Sequence, residues 1–291
     1  MDISSFIDSY GHTVKEWLKS IIKTDDKTLL KESMGYTLLS SGKMLRPILL
    51  GLVCDAYGGD LKSSVIPAGC VEMIHSYSLI HDDLPCMDND DTRRGVPSNH
   101  VVYNETISLL AGDALLTQAF ECLSSKEMRC MFDSDTIIRL VNELSTAAGA
   151  SGMILGQVLD MCGKTDEAAD IIEMQLLKTG KLITAACRMG AIIAGVSDDE
   201  LAAITEYADN LGLLFQITDD ILDAKGDATL VGKTLNKDCE QGKKNFVTIH
   251  GTTHAEEMAE GYARAAICGI GNNKELSLLV EMIEMIKHRD R

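Results

Sequence analysis

The stretch "LAAITEYADNLGLLFQITDDILD", Leu201 to Asp223, places apolar side chains at Leu201, Ile204, Ala208, Leu211, Leu214 and Phe215. Spacings of three and four residues put them along one face of a helix. The four prolines of the chain stand at 47, 67, 85 and 97, and none follows. Proline breaks helix interiors, so the rest of the chain is free to form long helices. Similar spacing recurs over 48–57, 66–82, 105–124, 134–162 and 169–195, while alternating strand patterns are scarce. Breaks fall at 57–64, around Pro85 to Pro97, at 163–167 and at 226–238, none of them a long linker or low-complexity tract. A single all-α domain spanning 1–291, a large helical bundle, is expected.

With 45% apolar and 24% charged residues the chain can bury a sizeable core. Its net charge of −17 argues against nucleic acid as the main partner, because that affinity comes largely from Lys and Arg. Any anionic ligand must be met by local positive charge or by bound metal. Nine scattered cysteines, without a CxxC pair, read as reduced thiols. No apolar run reaches the length of a membrane span, and the opening "MDISSFIDSY" is acidic where a signal peptide is basic. A cytoplasmic location is the expectation.

The helix that began the reading ends in carboxylates. Asp219 and Asp223 are four residues apart, which turns about 400° and leaves them on one face, about 6 Å apart. Such a pair is either a solvated helix end or, with the apolar approach "LGLLFQI", a cation site delivered into a cavity. A second cluster, "HDDLPCMDNDDTRRG" (81–95), holds five aspartates and two arginines. On a straight helix Asp82 and Asp88 would point about 120° apart. Pro85 disfavours helical geometry at Leu84, so a helix ending near Asp82 and Asp83 can be followed by a loop that turns Asp88 back.

Oxygen-rich clusters suit hard cations, and Mg²⁺ is usually held by one or two carboxylates plus substrate phosphates. A calcium EF-hand beginning at Asp88 is a poor alternative, since Arg93 and Asn99 stand where Gly and Glu are needed. Lys43, Arg46, Arg93, Arg94, Lys178, Lys233, Lys243 and Lys244 lie in segments that are otherwise apolar or rich in turn residues. Each alone reads as a surface charge; beside two Mg²⁺-type clusters they suggest two phosphate sites, one reached through metal and one directly.

Together "GKMLRP", "MIHSYSLIHDDLPCMDNDDTRRG", "AGDALL", "KTGKL", "FQITDDILD" and "GKTLNKD" resemble the ordered motif set of the trans-type isoprenyl diphosphate synthases, from residue 42 to about 246. The resemblance is to the farnesyl and geranylgeranyl diphosphate synthase group with two extra residues in the first aspartate motif. It implies the isoprenoid synthase fold with a central cavity, and three Mg²⁺, replaceable by Mn²⁺, on an allylic diphosphate. Asp82, Asp88 and Asp219 would be direct ligands, with Asp83, Asp220 and Asp223 behind them. Arg93, Lys178, Thr179, Gln216, Lys233 and Lys243 would hold the allylic diphosphate. Lys43, Arg46, His75 and Arg94 would hold isopentenyl diphosphate, and His81 would be structural.

By the same resemblance Tyr77, with Ser78, sets product length: an aromatic residue one turn before the motif limits the product to C15. The implied activity is farnesyl diphosphate synthesis from isopentenyl diphosphate and dimethylallyl or geranyl diphosphate, in a homodimer. C20 and C10 products are the near alternatives. A metallo-phosphohydrolase built on His75, His81 and Asp82, a related terpene cyclase and a non-catalytic family subunit are remote ones. The chain departs from the family pattern at Asn236, where a Gly is usual, and at "KKNFVTIHG", where a Lys-x-Thr-Tyr-Pro run is usual.

Overall fold

A computed structural model describes residues 2–22, 28–40, 42–162, 168–225, 245–270 and 274–289. The decisive stretch lies in one unbroken helix, α12 (Asp198–Lys225), with Leu201, Ile204, Ala208, Leu211 and Leu214 all buried. Tyr207 on the same face is fully buried, and its hydroxyl donates to the Leu279 carbonyl at 3.0 Å. α12 packs against α11 (Lys181–Ala194) and α14 (Thr252–Ile270). α11 in turn meets α3 (Leu45–Ala56), and α3 meets α4 (Leu61–Asp82). One continuous apolar core runs from Phe6 on α1 (Ile3–Ile22) to Ile286 on α15 (Ser277–Lys287). The fold is the all-α helical bundle that the periodicity predicts.

Three boundaries differ from the sequence reading. α4 begins at Leu61 rather than near 66 and carries Pro67 inside it. Asp60 caps this start by accepting from the Lys62 N–H at 3.1 Å, and Pro67 falls in the second turn. The missing donor there orphans only one early carbonyl. The apolar pattern over 134–162 is two helices, α8 (Ser134–Ala148) and α9 (Met153–Cys162). Extended backbone at Gly149 separates them without a proline. Finally, 169–195 is interrupted between α10 (Ala168–Gln175) and α11 by a π-helical turn, Leu176–Gly180.

Helix α6 (Glu105–Leu123) lies along α4 and follows a short helix, α5 (Asn99–Tyr103). Between α4 and α5 the chain forms the only sheet among the described residues, β1 (Thr92–Arg93) paired with β2 (Val96–Pro97). The segment preceding α3 includes α2 (Leu29–Leu38).

Candidate active site

The first aspartate cluster is turned back on itself. After α4 ends at Asp82, the Asp88 N–H donates to the Asp82 carbonyl at 2.9 Å and the Asp90 N–H to the Asp83 carbonyl at 3.2 Å. Asn89 takes a left-handed φ of 51° to make the reversal, as the Pro85 reading predicts. Asp82 and Asp88 are thereby brought into each other's field. Burial pushes the Asp82 carboxyl up to about 6, with Asp88 adding to the rise and Lys178 and Arg93 opposing it.

Asp83 faces inward instead. It is 2% exposed and accepts from Arg93 Nε at 2.7 and 2.9 Å and from Arg93 Nη2 at 2.6 Å. One whole edge of the Arg93 guanidinium is thus spent on Asp83, leaving Nη1 as the edge that can turn to a ligand. Arg94 and Gly95, with φ of 54° and 78°, form the two-residue turn between β1 and β2. Positive φ at both is the type I′ pattern, and it costs an arginine about 1–2 kcal/mol. The turn sends the neighbours apart: Arg93 to Asp83, and Arg94 to Ser40, whose hydroxyl it meets at 3.2 Å.

On the Arg94 side lie Arg46, His75 and Glu72. Burial pushes Arg46 down to about 10, with Glu72 and Asp219 opposing the shift and Arg94 adding to it. Burial, and then Arg46, Arg94 and Arg93, hold the His75 imidazole well below its usual range, so it is neutral near pH 7. Glu72, 3% exposed, is raised by burial and lowered by Arg46 and Arg94. The structure therefore gathers three of the four residues implied for isopentenyl diphosphate; the fourth, Lys43, is exposed just before α3. Glu72 was not singled out from sequence, although it stands one turn before His75 on the same helix.

Lys178 and Thr179 lie in the π-helical turn, a feature frequent at functional sites. Lys178 Nζ donates to Asp160 Oδ2 at 2.7 Å. α9 approaches this turn so closely that a Cβ at Gly156 would sit 2.1 Å from the Lys178 backbone nitrogen, so only glycine fits. Asp160 also escaped the sequence reading; its signal is a single carboxylate within the apolar run "MILGQVLDM".

At the end of α12 the carboxylates have separate surroundings. Asp220, 8% exposed, accepts the Phe246 N–H at 2.9 Å and so holds the start of α13 (Phe246–His250). Asp219 accepts from Arg289 Nη2 at 2.5 Å, and Asp223 is exposed near the end of the helix. Gln216 is half-buried one turn before Asp220. Lys233, Lys243, Lys244 and Asn236 lie outside the described residues.

Tyr77 is 5% exposed and packs edge-on against His81, with ring centroids 5.8 Å apart. Its hydroxyl is buried with no hydrogen-bond partner among the described residues, and burial, then Asp82, push that phenol up to about 12. Ser78 donates to the His75 carbonyl at 2.9 Å within α4. His81 Nε2 lies 2.9 Å from the Leu109 carbonyl, and a Cβ at Gly112 would come within 2.1 Å of that nitrogen. His81 thus anchors α4 to α6, and the two imidazoles of the phosphohydrolase alternative face different partners.

The donor set matches a hard cation: carboxylate oxygens only, with Asp82 and Asp88 crowded together and Asp219 already holding a cationic group. Among the described residues no three potential ligands lie close enough to grip an ion unaided. Oxygens from water or from a phosphate ligand would have to complete the shell of a divalent cation held here.

An all-α bundle that presents two aspartate clusters at helix ends, beside a half-buried Arg–Arg–His group, defines a diphosphate-handling protein of the isoprenoid synthase class. The chain belongs to the polyprenyl synthetase family, whose model matches residues 27–284, and it is a trans-prenyl diphosphate synthase. It is 38% identical to the farnesyl diphosphate synthase of Bacillus subtilis, covering 99% of this chain and 98% of that one. It is 40% identical to the heterodimeric geranylgeranyl pyrophosphate synthase large subunit 1 of Arabidopsis thaliana, covering 96% of this chain and 77% of that one. Among solved structures, an FPP/GFPP synthase from Zymomonas mobilis superposes with a TM-score of 0.87 at 30% identity, covering 98% of both chains.

Proposed function

We propose that this prenyltransferase makes (2E,6E)-farnesyl diphosphate, adding isopentenyl diphosphate to dimethylallyl and then to geranyl diphosphate. The observation that carries the C15 product is Tyr77, a buried phenol on α4 about one helical turn inward of Asp82. A growing chain that starts at the first aspartate cluster and runs along α4 would meet this ring.

In this reading Asp82, Asp88 and Asp219 hold Mg²⁺, with Asp83, Asp220 and Asp223 behind them. Bound Mg²⁺ supplies charge neutralisation to the departing diphosphate. Lys178, Arg93 Nη1, Thr179 and Gln216 orient the allylic diphosphate. Asp83 and Asp160 position that arginine and that lysine. Arg46, Arg94 and neutral His75, with Lys43 at the rim, bind isopentenyl diphosphate, and Glu72 keeps the two guanidiniums apart from each other's charge. Ionisation of the allylic C–O bond, attack by the isopentenyl double bond and loss of a proton require no nucleophilic side chain. The released diphosphate accepts the proton.

Val101, Val102, Leu109 and Leu110 on α5 and α6 are large apolar side chains left exposed. Four exposed apolar side chains on two successive helices favour a homodimer. Light scattering should then return twice the 31.6 kDa of one chain.

The test of function is incubation of the purified protein with labelled isopentenyl diphosphate, Mg²⁺ and each allylic diphosphate, followed by chromatography of the dephosphorylated products. A C15 main product is expected. No elongation from any primer refutes the prenyltransfer reading, and a C20 main product refutes the role given to Tyr77.

A further inference from the structure

The C-terminal segment reaches the second aspartate motif. Arg289, beyond the end of α15, places Nη2 2.5 Å from Asp219 Oδ1 and 2.7 Å from the Phe215 carbonyl. Its guanidinium carbon lies 4.1 Å from the centre of the Phe215 ring. Carboxylate, carbonyl and π face all belong to one turn of α12, because residues 215 and 219 share a helical face. A planar guanidinium stacks face-on and donates from its edge at once; a compact ammonium has no planar face to stack. The side chain is 10% exposed, so this is a docked group and not a passing surface contact.

The docking is nevertheless incomplete. Among the described residues Arg289 Nε is buried without a hydrogen-bond partner, and the Asp219 side chain remains 45% exposed. A cation bound to Asp219 Oδ1 would stand where the guanidinium stands now, and two positive charges at that separation repel.

We propose that Arg289 is an internal counter-ion that competes with divalent metal for Asp219, so that this motif takes up metal only when a diphosphate brings it. The inference rests on the metal-dependent reading of the site given above. Bare metal must lose water and also displace a stacked guanidinium. A metal–diphosphate complex carries its own negative charge, which offers the displaced guanidinium a new partner. Arg289 thereby guards the carboxylates against unproductive metal binding between turnovers.

The test is Mn²⁺ binding to the full-length chain without substrate, followed by loss of the free-ion electron paramagnetic resonance signal. Arg289→Gln should bind Mn²⁺ about tenfold more tightly than the wild type, the change expected from one charge-assisted contact. Saturating inorganic diphosphate should narrow that gap to less than about threefold. Arg289→Lys, which keeps the charge but loses the stack, should bind about threefold more tightly.

Unchanged or weaker Mn²⁺ affinity in Arg289→Gln overturns the proposal. So does a gain that survives in Arg289→Gln/Asp219→Asn, because the ion then sits elsewhere. Should Arg289→Gln lose its circular dichroism signature of the native fold, Arg289→Lys decides on the same criterion. Failure of the functional reading would show separately, as no elongation by the wild type with Mg²⁺.

Discussion

Truncation of Tyr77 tests product control most directly. Tyr77→Ala removes about seven non-hydrogen atoms from a site that is 5% exposed, more than the roughly five carbons of one isoprene unit. Deleting a buried aromatic ring costs about 3–5 kcal/mol. The lost hydroxyl, which has no partner among the described residues, returns about 1–3 kcal/mol of desolvation penalty. The net loss is about 2 kcal/mol, a fall of roughly 3 °C in Tm for a chain of this size. The variant should therefore remain folded at 25 °C and extend its product to C20 and beyond, read by chromatography after phosphatase treatment. Tyr77→Phe keeps the wall and drops only the orphaned hydroxyl, so it should retain the C15 product with equal or higher stability. A folded Tyr77→Ala that still stops at C15 would refute the assignment of the barrier to this ring.

Further outcomes follow from the same geometry. Burial raises the Asp82 carboxyl from 3.8 to about 6 in the folded chain, so the folded state holds its proton more tightly than the unfolded state. In EDTA the stability contributed by this group is full below about pH 4 and is lost as pH rises through 6, by at most about 3 kcal/mol; Asp82→Asn should flatten that fall in urea titrations. Asp83→Ala leaves Arg93 half-buried without its carboxylate and should cost about 3–5 kcal/mol, while KM rises more for the allylic substrate than for isopentenyl diphosphate. A stability loss below about 1 kcal/mol would contradict the buried pair. Gly112→Ala drives a methyl into His81 and should cost about 1–3 kcal/mol; in the double variant with His81→Ala the cost should be clearly less than additive.

Much of this protein is written in local pattern. The three- and four-residue spacing of Leu201 to Leu214 specifies α12 because helical periodicity is a property of consecutive residues, and that helix delivers Asp219 with the register the sequence implies. Pro85 likewise acts on its immediate neighbours, so the return of Asp88 to Asp82 could be read before any fold was known. Local rules fail where packing overrides them. Pro67 is carried inside α4, and the apolar run over 134–162 breaks at Gly149 without a proline. The pairings that set the site's electrostatics were beyond sequence for a further reason: each joins residues on different elements. Lys178 finds Asp160 only because Gly156 lets α9 approach the π-helical turn, and Arg93 finds Asp83 only through the turn at Arg94 and Gly95. Arg289 meets Asp219 across 70 residues of chain. Sequence determined which helices form and which faces bear carboxylates. Tertiary structure decided which cations Asp83, Asp160 and Asp219 hold, because a charge's partner is chosen by what packing brings within a few ångströms and removes from water.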